Sequence, residues 1–189
     1  MALLRKSKQY RKAGAHFAVW GDGPIIDASE PSEAAIRKQA KELASFATYC
    51  QSSGLVPIVY PKLSFDKPPS IVKFADLTKR VLSTCVTALN YQRVLLEGTV
   101  LMLGIAPKPD QQSIARNTFR VPKDTVPAAI PAIVFLSSGQ SEEKAIIAMN
   151  KLKSKKPWKI SSFFGPPLQQ GTLKAGAGKD NPHSPLEAR

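Results

Sequence analysis

Most of the side chains in this sequence that can act on another molecule are cations. Arg5, Lys6, Lys8, Arg11 and Lys12 occur together without an acidic neighbour, and Lys151, Lys153, Lys155, Lys156 and Lys159 form a second group. Cations at this density attract anionic surfaces: nucleic acid, an acidic protein lattice such as a microtubule, or an anionic membrane face. Either cluster alone also reads as an ordinary solvated face. Other reactive side chains are few. The histidines are His16 and His183, the cysteines Cys50 and Cys85, and nothing in their spacing suits a metal ion. Neither a metal nor a cofactor is expected. Both cysteines fall at apolar helical positions, which points to reduced thiols in a reducing compartment.

The frame that must position these groups is of ordinary composition. The 189 residues suffice for one domain, and 43% of them are apolar, enough for a moderate core. Lys and Arg number 27 against 14 Asp and Glu, a net charge of +13, so the cationic character extends beyond the two clusters. Residues 176–189, rich in Gly, Pro, Asn and Ser, read as a tail beyond a domain spanning 1–175. No apolar run approaches the roughly 18 residues of a membrane span, so no membrane is expected as a partner.

Strand-like and helix-like segments alternate. Phe17 to Trp20 is a short apolar run, followed by a Gly/Pro/Asp loop. Between Ser32 and Gln51, apolar residues at Ile36, Ala40, Leu43, Ala44, Ala47 and Cys50 have helical spacing, with Gly54 where a C-terminal glycine belongs. Leu55 to Val59 has the continuous β-branched pattern of a strand buried on both faces. Ile71, Phe74, Ala75, Thr78, Leu82, Cys85 and Leu89 form the stripe of a second helix. Strands are expected at Val94 to Leu101, Ala132 to Leu136 and Lys159 to Phe163. Helices are expected around Gln111 to Thr118, from an N-cap at Ser141 to about Leu152, and from about Pro167. This alternation predicts parallel βα units. Five strands fall short of the eight that close a (β/α) barrel, so the pattern predicts an incomplete barrel.

Five segments resemble class I fructose-1,6-bisphosphate aldolase, in that family's order. Gln9-Tyr10-Arg11-Lys12-Ala13-Gly14-Ala15-His16-Phe17-Ala18-Val19-Trp20 is similar to the family's fourth strand. Val56-Pro57-Ile58-Val59-Tyr60-Pro61-Lys62 is similar to the fifth, and Leu96-Glu97-Gly98-Thr99-Val100-Leu101-Met102 to the sixth. Thr125-Val126-Pro127 with Phe135 to Glu143 resembles the seventh, and Lys156-Pro157-Trp158 through Gly165, with Leu173-Lys174-Ala175, the eighth. The resemblance implies a TIM barrel of which this chain supplies the last five βα units.

It also implies a reaction, in which a lysine amine forms a Schiff base with a ketone and acid/base groups break a carbon–carbon bond. The resemblance assigns the family's imine-forming lysine to Met102 of this chain, where a thioether cannot make an imine. Its fifth-strand glutamates fall at Tyr60 and Lys62, its fourth-strand lysine at Val19, and the acidic residue before that strand at His16. Of the phosphate site, Ser137 and Gly165 remain, Ser138 replaces a glycine, and Pro166 stands in place of the arginine, which leaves Ser137, Ser138 and Gly165 as candidates for weak anion binding. Gly98, Gly139, Gly165 and turns at Pro57 and Pro127 read as retained scaffold.

From these substitutions the expectation is a pseudoenzyme without a small-molecule substrate, serving as a structural subunit docked through its cations on an acidic partner. The favoured partner is tubulin in a microtubule or axoneme, which would place the protein in the cytoplasm, cytoskeleton or flagellum. An RNA-associated role, with a mitochondrial location, is the alternative. Residual aldolase activity in glycolysis and regulation of a true aldolase by joining its oligomer are further readings.

Overall fold

The computed structural model describes residues 2–20, 25–27, 31–64, 70–104, 121–136 and 157–163. In chain order its elements are α1 (Ala2–Lys12), β1 (Phe17–Val19), β2 (Ile25–Asp27), α2 (Glu33–Gln51), β3 (Val56–Val59), β4 (Lys62–Ser64), α3 (Ile71–Tyr91), a 3-10 turn (Leu96–Gly98), β5 (Val100–Gly104), β6 (Ala132–Leu136) and β7 (Lys159–Phe163). Five strands form one sheet in the order β1-β3-β5-β6-β7, every neighbouring pair parallel. Parallel neighbours require crossovers, and α2 and α3 supply the first two. The α/β architecture and the partial barrel are as the sequence predicts.

Local chemistry explains the helix ends. Ser32 Oγ accepts from the Ala35 amide at 3.1 Å and caps α2 in extended backbone, with Glu33 in the first turn. Ser70 caps α3 in the same way, taking the Lys73 amide at 3.2 Å. Past α2, Gly54 takes φ +73°, the left-handed conformation that a glycine adopts without penalty. Arg93 occupies the equivalent position after α3 at φ 55°, with a Cβ that disfavours it.

The core lies between the helix layer and one face of the sheet. Ile36, Ala40, Leu43 and Ala47 of α2 and Leu77, Val81, Leu82, Cys85 and Leu89 of α3 pack against Val59, Leu101, Leu103, Ile133 and Phe135. Each large side chain so buried contributes about 1.5–3 kcal/mol relative to exposure. The Trp158 indole N–H donates to the Pro127 carbonyl at 3.0 Å, and the Lys159 amide to that of Pro131 at 2.9 Å, which together fix the start of β7.

Several expectations need correction. The strand expected over Val94 to Leu101 runs from Val100 to Gly104, because Leu96–Gly98 forms a 3-10 turn. Gln51 at the end of α2 clamps that turn: its Nε2 donates to the Leu95 carbonyl at 2.8 Å and its Oε1 accepts the Leu95 amide at 3.0 Å. Pro57 lies within β3, paired with Ala18, and is no turn. The basic run Arg5 to Lys12 is a helix, and the expected loop after β1 contains β2, which pairs with β4 as a second parallel sheet. The helices expected over 111–118, 141–152 and from 167, together with the tail 176–189, lie outside the described residues.

Candidate functional site

Side chains along a strand alternate between faces, so the core assignment determines what points the other way. Leu101, Leu103, Ile133 and Phe135 face the helices. Val100, Met102 and Val134 therefore project from the opposite face, and the register sets Met102 beside Val134 and Val134 beside Ser161. Val59 packs with the helix core and Ala18 against Phe46, Cys50 and Leu55, so Ile58 and Val19, themselves paired, also lie on this opposite face. Val59 pairs with Leu101 as the last residue of β3, and Tyr60 follows it. The fold thus sets Val19, at the end of β1, and Met102, at the centre of β5, on one face, with Tyr60 immediately after β3; these are three of the five positions singled out in the sequence.

Chemically this face is mixed. Met102 is 2% exposed and carries neither an amine nor an ionisable group. Tyr60 is half-buried, and burial raises its phenol above the ordinary value, so it stays a protonated donor near neutral pH. Lys62 opens β4 just beyond, with Nζ 5.8 Å from the centre of the Tyr60 ring, within range of a cation–π contact. Gln39, buried on α2, donates its Nε2 to the Lys62 carbonyl at 2.9 Å and fixes the backbone that carries the amine. The amine and phenol therefore form a compact pair at the strand ends.

His16 does not join them. It precedes β1, exposed and at the opposite end of that strand from Val19, with its Nδ1 3.4 Å from Arg11 Nη1. Arg5, Lys6, Lys8, Arg11 and Lys12 are all exposed on α1. Lys151, Lys153, Lys155, Lys156, Ser137, Ser138, Gly165 and Pro166 lie outside the described residues. Sequence reasoning missed the clamp residue Gln51, since one glutamine at the end of an amphipathic helix carries no signal. It also recorded Lys62 only as the loss of a carboxylate, although motif position alone placed an amine near the strand ends.

A model of class I fructose-bisphosphate aldolase, a glycolytic family, matches residues 2–187. This chain belongs to that family. It is 48% identical over 184 residues to cytosolic fructose-bisphosphate aldolase 6 of Arabidopsis thaliana, covering 93% of this chain and 51% of that protein. It is 47% identical over 186 residues to cytoplasmic isozyme 2 of Pisum sativum, covering 94% and 52%. The crystal structure of Plasmodium falciparum fructose-bisphosphate aldolase, in complex with TRAP and a small-molecule inhibitor, superposes with a TM-score of 0.84 at 36% identity, over 94% of this chain and 54% of that one. The chain spans about half the length of the curated relatives it matches.

These relatives correct one expectation. The substitutions at Met102, Tyr60, Lys62, Val19 and His16 led to a pseudoenzyme, yet proteins 47–48% identical to this chain are named as aldolases. The physical reason is local. A missing amine at position 102 describes that position alone, while Lys62 brings another amine beside Tyr60, just after β3.

Proposed function

We propose that the protein acts in the cytoplasm in reversible carbon–carbon cleavage of a phosphorylated ketose, the chemistry for which its aldolase relatives are named. The observation that carries this reading is the 48% identity to a cytosolic aldolase across 93% of the chain. Such chemistry needs an unprotonated amine that attacks a ketone carbon and expels water, leaving an iminium that draws electrons from the bond to be broken. Met102 has no nitrogen, so the reading assigns the amine to Lys62 and a proton-bearing phenol to Tyr60. The test is reduction with borohydride in the presence of dihydroxyacetone phosphate, followed by mass mapping. An adduct on Lys62, absent in Lys62→Ala, is the expected result. Absence of any adduct together with absence of cleavage would contradict it.

A second reading concerns partners and rests on charge. Five exposed cations on α1 without an acid on that helix, within a chain of net charge +13, support docking on an acidic protein surface such as the tubulin lattice. Co-sedimentation with microtubules that weakens as salt rises is expected. RNA binding with a steep salt slope and no co-sedimentation would instead favour nucleic acid.

A further inference from the structure

Helices α2 and α3 run side by side but do not close on each other along their whole length. Cross-helix bonds join them at two levels. The Arg80 guanidinium pairs with Glu33 at one, and at the other Gln92 Nε2 donates to the Lys41 carbonyl and to Ser45 Oγ, both at 3.1 Å. Between these ties the facing residues are small, Ala40 on α2 and Ala88 on α3, with Thr84 beside them. Small side chains between two pinned ends leave a hollow of about 340 Å³. That is the low end of the range for ligand cavities, roughly 300–1,000 Å³, and offers room for one bulky side chain.

The rim of this hollow is asymmetric. Arg37 and Lys41, one helical turn apart and both exposed, form its α2 edge. The α3 edge ends in Tyr91, a residue 88% exposed, an unusual state for an aromatic residue. Among the described residues no carboxylate lines the hollow; Glu33, one turn before Arg37, pairs with Arg80 and also interacts with the Arg37 charge. An apolar floor, an exposed aromatic wall and a cationic edge with no carboxylate in the lining suit an acidic, partly apolar ligand.

We propose that this groove docks an acidic peptide segment of a partner protein through one large apolar side chain flanked by carboxylates. The apolar side chain fills the space over Ala40 and Ala88 under the Tyr91 ring, and the carboxylates meet Arg37 and Lys41. The inference rests on the acidic-partner reading above and gives it a surface other than α1. It is independent of any chemistry at Lys62.

The test is fluorescence anisotropy on the whole protein with a labelled acidic peptide carrying one central tryptophan, compared with versions in which the tryptophan is alanine or the carboxylates are amides. Both altered peptides should bind at least about tenfold more weakly, which corresponds to about 1.4 kcal/mol. Arg37→Gln with Lys41→Gln should weaken the original peptide by about tenfold, and Ala88→Leu, which fills the floor, should do the same. Since Ala88→Leu stands next to the core, the surface double variant provides an independent check. Loss of binding in Lys8→Gln with Lys12→Gln, and none in the groove variants, would overturn the groove while leaving an acidic partner on α1. Indifference to the tryptophan would overturn it in favour of the diffuse field of the chain. Failure of every acidic peptide to bind would overturn both readings. A concentration-dependent dimer abolished by Ala88→Leu would assign the groove to a second copy and overturn the peptide.

Discussion

The two faces of the five-stranded sheet follow different rules. On the helix side, Leu101, Leu103, Ile133 and Phe135 meet a continuous apolar layer from α2 and α3. Any residue there must be apolar and of the right volume, and the periodicity of the sequence exposes it. On the other side lie Val19 and Met102, positions to which the sequence resemblance assigns charged groups of the family. Replacing a charge by an apolar residue there leaves the strand pattern intact. The comparison teaches that one face specifies the fold while the other specifies the chemistry, and that the second can change without disturbing the first.

Substitutions on the two faces should therefore differ in kind. Phe135→Ala on the helix side, at 1% exposure, should cost about 3–5 kcal/mol in urea unfolding, the largest effect expected. Met102→Leu on the opposite face should cost less than about 1.5 kcal/mol, because volume is nearly kept. A Met102→Leu loss as large as that of Phe135→Ala would break the distinction between the faces.

The loop that sets β5 in register tests the link between the faces. Gln51→Ala removes both bonds to Leu95; the carbonyl keeps the Thr99 hydroxyl and the Gly98 amide while the amide loses its partner at an exposed site, so a loss of about 0.5–1.5 kcal/mol is expected. Arg93→Gly should act in the opposite direction and stabilise by about 1 kcal/mol, since glycine accepts φ 55° without strain. Thermal unfolding of both variants measures the contrast.

Alkaline pH gives a further contrast. Burial pushes the Cys85 thiol, in the helix-side core, up to about 12 and the Cys50 thiol, beside α1, up to about 11, the latter against a smaller lowering by the Ser7 hydroxyl. A thiol whose folded value is raised favours the protonated form, so its stabilising effect is complete below the unfolded value of 9.0. It is lost as pH rises from there toward about 11 for Cys50 and about 12 for Cys85. Cys85→Ala should flatten the decline in stability between pH 9 and 11, measured by urea unfolding against pH after allowance for its cavity. An unchanged slope would show that Cys85 ionises as readily folded as unfolded.

Legibility in the sequence followed the same division. The stripes of α2 and α3, the Gly54 stop and the strands at 132–136 and 159–163 were readable because burial imposes periodicity and a left-handed stop favours glycine. The 3-10 turn and the true start of β5 were not, since they depend on a side chain 44 residues away in sequence, Gln51. The pair β2 and β4 was hidden because each is only three residues long, too short for a period to show. At the candidate site, motif position singled out Val19, Tyr60, Lys62 and Met102; Val19 ends β1, Met102 is central in β5, and Tyr60 and Lys62 follow β3. What it could not weigh was that one residue type lost and another gained, Met102 and Lys62, both bear on where an amine stands.

The most direct test of the central claim, that this aldolase-family chain retains an imine-forming amine away from position 102, is mass mapping after borohydride reduction with dihydroxyacetone phosphate. The account predicts a single reduced adduct on Lys62 that disappears in Lys62→Ala and persists in Met102→Leu. A protein that cleaves no substrate and carries no adduct on any lysine would contradict it.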